Sequence, residues 1–508
     1  MDTQAKIEQR REEARKRQQQ IKKRENAKIS QKTKRRLAGA GVTVIVILLI
    51  AALILPNTGL SRRMLKALTI GDEDISVAEF SYYYRTTFNN YYQTIYSYFG
   101  GSYMPIDLTK SLKKQAYNDE MSYADYFSNE AKDNLQQLVI LSEEAKKANF
   151  TLPEDAQQVY EQTLENAKTQ AEESGVSLST YLSNSFGMGF NMDTLETCIY
   201  RELLAEAFMK EKQASFTFSE AELDAYYQEN AKDYDVADIR IVRFAVVEGD
   251  EETEAVTAED AKAQADAFIE GVATEEGFEE KAVAKAEAEA EEGQTVEDTS
   301  LVRNLSFESA TSVDVNLADW IFNQDNPDGS VAVIENVSGD SFYAVYMIKA
   351  PYRNDSKTVD VRHILIAFED DTEEAKEKAQ ASAEGIYKMF LSQGLTEESF
   401  AALAEEYSGD TGSNTNGGLY TGVYETQMVG AFNDWCFDEA RFPGDSGIIE
   451  TEYGYHIMYF VGDNLPRWQI DVQSTLQTNA YNEWYLAAAE QYPVTEHKFA
   501  MKYRSEPI

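Results

Sequence analysis

The chain is poor in cysteine, histidine and positive charge. Its 508 residues hold 2 Cys and 3 His. Cys198 and Cys436, far apart, exclude a disulfide framework, and Cys436 sits in an apolar Trp435-Cys436-Phe437 run that reads as core. There is no Cys/His ligand spacing and no Gly-rich phosphate loop, so neither a metal nor a cofactor is expected. Lys and Arg number 47 against 88 Asp and Glu, for a net charge of −41. The first 36 residues contribute +9 (14 Lys and Arg against 5 Asp and Glu), so the rest of the chain carries −50. A body this acidic repels nucleic acid and leaves only the basic tail for polyanions.

That tail ends at a long uncharged run. Residues 37–61 are 25 consecutive residues without a charge, enough to span a bilayer as a helix. The basic flank precedes it and only Arg62, Arg63 and Lys66 follow closely, so the positive-inside rule keeps the N-terminus in the cytoplasm and everything after the span outside. We expect residues 1–36 to be a basic cytoplasmic tail and 37–61 a retained, single-pass signal anchor. A cleaved signal peptide is the competing reading, against which the length of the basic region counts.

Past the span, Ala67–Ile70 and Gly71-Asp72 read as a short strand and turn. A capping box follows, with Ser76 as N-cap, Glu79 at N3, and Ile75 and Phe80 as the hydrophobic staple. The same device recurs at Ser219 and Glu222. Between the two the text is mostly helical, with breaks near Pro105 and Pro153. Phe80, Tyr84, Phe88, Tyr92 and Tyr96 recur at four-residue steps, the core face of a helix in the plainer reading and a surface for unfolded chains in the other. After Pro466, Trp468, Val472, Leu476, Ala480 and Trp484 form a stripe that needs a partner; the helical region is the candidate.

From about 237 to 350 and from about 358 to 464 the chain writes one α+β domain twice. Asp360-Val-Arg-His363-Ile-Leu-Ile-Ala367 aligns without a gap on Asp238-Ile-Arg-Ile241-Val-Arg-Phe-Ala245, and Thr396–Phe400 on Thr274–Phe278. Asp434–Phe437 aligns on Asp319–Phe322, and Tyr455–Tyr459 on Phe342–Tyr346. Thus His363 answers to Ile241 and His456 to Tyr343. What both copies keep is fold; what one alone keeps points to chemistry. The first copy also carries an Ala-Glu run from Ala282 that reads as a solvated helix or a flexible acidic stretch.

In the second copy three pieces fall in order: Val361-Arg-His363-Ile, then Tyr407-Ser408-Gly409-Asp410 with Ser413 and Gly417-Gly418-Leu419, then Thr451-Glu-Tyr453-Gly-Tyr-His456. This set resembles the parvulin (PpiC-type) peptidyl-prolyl cis–trans isomerases, and the wider plan resembles the membrane-anchored foldases of the PrsA and SurA kind. The resemblance implies an α+β multidomain protein with one transmembrane helix. It places a helical chaperone-like domain at 66–235, completed by the C-terminal helix at 466–508, a degenerate parvulin-like domain at 237–350 and an isomerase domain at 358–464. It assigns a polar cluster to His363, Asp410, Thr451 and His456, and an apolar proline seat to Leu419, Met428 and Phe432. The loop is one residue short of the common family pattern, so either Leu419 or Tyr420 can line the seat; Tyr453 stands where the family often has phenylalanine or a small polar residue.

The implied function is isomerisation and folding of secreted polypeptides through their X-Pro segments at the outer face of the cytoplasmic membrane. Unfolded or partly folded secreted chains are then the partners. A homodimer contact is one use for the silent first copy, alongside spacer and client surface. A non-catalytic holdase using parvulin folds as binding modules is the alternative.

Overall fold

The computed structural model describes residues 6, 8–24, 59–100, 104–249, 255–289, 303–309, 312–323 and 325–507, as two units: residues up to 212 with 483–508, and residues 213–482. Residues 37–58 of the expected span lie outside the described residues. Among the described residues no helix is long and apolar enough to cross a membrane.

In the first unit a three-stranded sheet joins residues 66–76 to residues 494–496 near the C-terminus. Strand β1 (Lys66–Ile70) pairs antiparallel with β2 (Glu73–Ser76) and with β11 (Val494–Glu496). Gly71 turns β1 into β2 at φ 58°, a left-handed conformation, and a Cβ there would meet the Tyr492 ring at 2.8 Å. His497, the third histidine, lies 2.9 Å from Thr69 Oγ1 and belongs to this joint. The capping box at Ser76 and Glu79 opens helix Val77–Phe99, and buried Arg201 pairs with Glu73 and Glu79. The aromatic stripe divides along this helix: Phe80, Tyr84 and Phe88 are core, whereas Tyr96 is 51% exposed. The core reading of the stripe therefore holds for its first half.

The second unit carries two four-stranded antiparallel sheets of one topology. The first copy orders its strands β4-β3-β6-β5 and the second β8-β7-β10-β9. Here β3 is Asp235–Ala245, β4 Arg303–Ser309, β5 Val331–Glu335, β6 Ser341–Arg353, β7 Thr358–Ala367, β8 Leu419–Tyr424, β9 Ser446–Thr451 and β10 Gly454–Asp463. Registers agree residue by residue: Ile241 faces Val345 as His363 faces Met458, and Arg243 faces Tyr343 as Leu365 faces His456. The same ion pair braces both sheets, Arg240 to Glu275 and Arg362 to Glu397. The Ala-Glu run begins as the end of helix Glu275–Glu289, with Ala282 and Ala286 buried; residues 290–302 lie outside the described residues.

Alternation along the strands sorts the second copy into two layers. Ile364, Ile457 and Tyr459 pack under helices Glu373–Ser392 and Glu397–Tyr407 with Phe390, Phe400 and Leu403. One residue out of phase, Val359 and Val361 on β7 and Met458 and Phe460 on β10 face the short helix Gly430–Cys436 through Phe432 and Cys436. The next position of that period on each strand is a histidine. Beyond β10, Trp468 and Val472 at the start of helix Arg467–Ala489 bury against Leu223 and Tyr227.

Candidate active site

His363 on β7 and His456 on β10 are 3% and 6% exposed, and their rings lie nearly parallel with centroids 5.3 Å apart. Their Nδ1 atoms are 3.1 Å apart. On the far side of His363, Nε2 lies 2.9 Å from Asp410 Oδ2; on the far side of His456, Nε2 lies 2.9 Å from Thr451 Oγ1. A four-residue row therefore crosses two central strands, and Thr451, the last residue of β9, supplies its far end.

Asp410 is held by its own loop. The Tyr420 hydroxyl donates to Oδ2 at 2.8 Å, the Ser413 hydroxyl donates to the same oxygen, and Gly412 N–H donates to Oδ1 at 3.1 Å. Partial burial would raise this carboxyl, but the donors from Ser413, Tyr420, Gly412 and His363 outweigh it and hold it at about 2. Burial, with the carboxylate beside it, pushes the Tyr420 phenol up to about 12, so it stays a donor. The loop is pinned to β7 by Ser408, whose Oγ accepts from Leu365 N–H, and by His363 N–H donating to Gly418 O at 2.9 Å.

Both imidazoles are kept neutral. Burial lowers His363 in spite of the Asp410 carboxylate, and burial together with the neighbouring His363 brings His456 down to about 4. Neutrality fixes the tautomers. An ionised Asp410 only accepts, so His363 carries its proton on Nε2 and presents a bare Nδ1. His456 must then donate from Nδ1, which leaves its Nε2 to accept from the Thr451 hydroxyl. Every donor in the row points toward Asp410.

Phe432, 2% exposed, stands edge-on to both rings, 5.4 Å from His363 and 5.5 Å from His456. Met428, Tyr420 and Ile449 are half-buried against the same cluster. The structure separates the two candidates for the seat. Tyr420 faces Val361 across the β7–β8 ladder, whereas Leu419 faces Arg362 and so lies on the opposite face of the sheet, away from the histidines. Leu419 is thus not brought to the cluster, because a one-residue step along a strand reverses the face. Tyr453, 58% exposed, tops the β9–β10 turn, its N–H donating to Thr451 Oγ1. Ser413, seen in the sequence but given no role there, is a partner of both Asp410 and His363; its spacing three residues after an aspartate was the available signal. Cys436 lies beneath Phe432 in the core, and burial pushes its thiol up to about 12, unsuited to a nucleophile.

Residues 343–462 match the PPIC-type PPIase domain, so the chain carries a parvulin-type domain that begins within β6 and covers the whole second copy to β10. Among curated proteins, foldase protein PrsA 1 of Listeria innocua is 31% identical over 156 residues, covering 31% of this chain and 47% of the relative. Foldase protein PrsA 3 of Bacillus anthracis is 36% identical over 115 residues, 22% of this chain and 32% of the relative. The chain thus spans about half or less of the length of these curated relatives. The crystal structure of PrsA from Bacillus subtilis aligns over 78% of this chain and 95% of that one, at 15% identity and a TM-score of 0.24, too low for the superposition to carry weight.

Proposed function

We propose that this protein is a peptidyl-prolyl cis–trans isomerase and foldase, acting on unfolded or partly folded secreted polypeptides, with its bulk outside the cytoplasmic membrane and the 37–61 run as its anchor. The observation that carries the reading is the row Thr451, His456, His363, Asp410 laid beside Phe432 on one face of the second sheet. The PrsA likeness supports the foldase role, and the charge asymmetry around the uncharged run supports the location.

The chemistry required is modest. The planar amide resists rotation by about 18–20 kcal/mol because its C–N bond is partly double. No bond has to break. Rotation needs a seat that grips the pyrrolidine ring and a field that favours the twisted amide, whose nitrogen is pyramidal and whose carbonyl is less delocalised. Phe432, Met428 and the ring of Tyr420 provide the apolar seat. The ionised Asp410 and the oriented, neutral imidazoles provide fixed negative and dipolar charge in a largely dry site, where such charges act strongly. Nothing in this row calls for covalent catalysis.

The first copy keeps the fold and the brace but has Ile241 and Tyr343 where the histidines stand, so we assign it no isomerase activity. An exchange or protease-coupled assay on an X-Pro peptide tests the reading. Acceleration by the full chain supports it. No acceleration, with retained suppression of client aggregation, would leave the holdase alternative in its place.

A further inference from the structure

The residues that close the uncharged run are already part of the first unit. Helix Gly59–Met64 packs on the turn at 187–190 so closely that a Cβ on Gly189, at φ 92°, would stand 2.5 Å from Gly59 O. Arg63 Nη1 donates to Gly189 O at 3.2 Å, and Arg62 Nη1 donates to Tyr503 O and, at 3.1 Å, to Ser505 Oγ. No linker therefore separates residue 61 from the folded body. With 37–61 as the anchor, this end of the unit is held against the bilayer surface.

That end carries charge of the rarer sign. Because β11 runs antiparallel to β1, the segment after β11 returns to where the chain enters the unit: Leu68 pairs with Glu496, and His497 N–H donates to Ala67 O at 2.9 Å. Residues 498–504 read Lys-Phe-Ala-Met-Lys-Tyr-Arg, three cations and no acid in a chain whose acids outnumber its bases 88 to 47. Lys113, Lys498, Lys502 and Arg504 line an open cavity of about 410 Å³, in which only Asp125 and Glu496 are acidic. Those two are engaged, Asp125 by the Ser122 hydroxyl and Glu496 by Lys132, while Lys113 and Arg504 share Glu506. Lys498 and Lys502 are exposed and form no ion pair among the described residues.

Exposed apolar side chains stand beside these cations. Phe499 is 61% exposed, and its ring meets Tyr503 edge-on. Met188 is exposed in the turn whose N–H donates to Ser505 Oγ, and Leu60 and Met64 are exposed four residues apart on one side of their helix. Cations among exposed aromatic and aliphatic groups suit a lipid surface: the charges meet phosphodiester headgroups and the apolar groups enter the interfacial layer.

We propose that this end of the first unit docks on the outer leaflet of the membrane through anionic phospholipid headgroups, with Lys498 and Lys502 on the phosphates and Phe499 and Met188 in the interfacial layer. The inference rests on the anchor reading of residues 37–61 and adds to it a second, charge-dependent contact with the bilayer.

The test uses the full chain in nanodiscs of phosphatidylcholine with brominated acyl chains, with and without phosphatidylglycerol. An environment-sensitive fluorophore on Met188→Cys reports contact by quenching; Cys198 and Cys436 are buried, so the label is selective. We expect quenching in the phosphatidylglycerol discs that weakens as salt is raised, and little in the neutral ones. Lys498→Glu/Lys502→Glu should lower the ratio of docked to free protein about tenfold or more, since each basic residue near an anionic surface favours contact by about fivefold. Lys262→Glu/Lys388→Glu, the same charge change on exposed helices of the second unit, should leave it unaltered. Equal quenching in both disc types, none in either, or equal losses in the two double variants would overturn the proposal. So would capture of soluble polyglycerol phosphate by Lys498 and Lys502 without quenching, which would give the patch to a wall polymer. Should the charge reversal shift thermal unfolding, Lys498→Gln/Lys502→Gln decides. Retention of the wild type in membranes through alkaline extraction is read in parallel: release overturns the anchor and the docking with it, whereas retention without quenching overturns the docking alone.

Discussion

His363 and His456 meet nitrogen to nitrogen, with Nδ1 atoms 3.1 Å apart, so a single proton occupies the space between two rings from different strands. Protonating both nitrogens would set two N–H groups against each other. The contact therefore exists only while at least one ring is neutral, and burial keeps both so.

The pH dependence follows with a definite sign. His456 titrates at about 4 in the folded protein against an ordinary 6.5. A histidine whose folded value is depressed contributes stability that is fully present above 6.5 and is lost as pH falls from there through about 4. Asp410, held at about 2, adds a loss only below the ordinary carboxylate range. Isomerase rate should be flat from pH 8 to about 6 and fall below pH 5. A rate that rises on acidification would contradict the neutral tautomers.

Tyr420→Phe removes one donor from Asp410 and keeps the ring beside His363, whose centroid is 4.8 Å away. We expect a stability loss of about 1 kcal/mol, as for one hydrogen bond, and a fall in turnover of several-fold with KM little changed. Denaturant titration and progress curves measure the two. Unchanged turnover would show that the Asp410 donors are incidental to rate.

Gly418 sits at φ 71°, and a Cβ there would stand 2.2 Å from His363 O and 3.0 Å from the Ala404 Cβ. Gly418→Ala must part β8 from β7 where the catalytic loop is pinned. Destabilisation of at least about 2 kcal/mol with loss of isomerase activity is expected. A thermal melt with a wild-type midpoint would contradict the geometry.

Arg362 donates to Glu397 Oε1 and, through Nη1, to the carbonyls of Asn416 and Gly417, both at 2.9 Å. Its counterpart Arg240 pairs with Glu275 and Glu279. Arg362→Ala should cost about 2 kcal/mol and slow isomerisation, because the loop carrying Asp410 loses its brace. Arg240→Ala should cost stability alone. Matched activity losses in the two variants would argue that the first copy takes part in catalysis.

Much of this was legible in the residues. The duplication, the capping boxes, the histidine pair and Asp410 all rest on spacing and local chemistry, which a chain displays directly. The place of Leu419 did not, because the face of a strand residue depends on register: the β7–β8 ladder sets Leu419 opposite Arg362 and gives the site Tyr420 instead. Ser413 was visible, but its double contact needs the loop to close over His363.

The most direct measurement is exchange NMR on an X-Pro peptide with the full chain, its His363→Ala and Asp410→Ala variants, and Arg240→Ala as the first-copy control. The account predicts acceleration by the wild type, a fall of about tenfold or more in each of the first two variants, as for removing one preorganised group or more, and retention in the control. Equal acceleration by the wild type and by both site variants would contradict it.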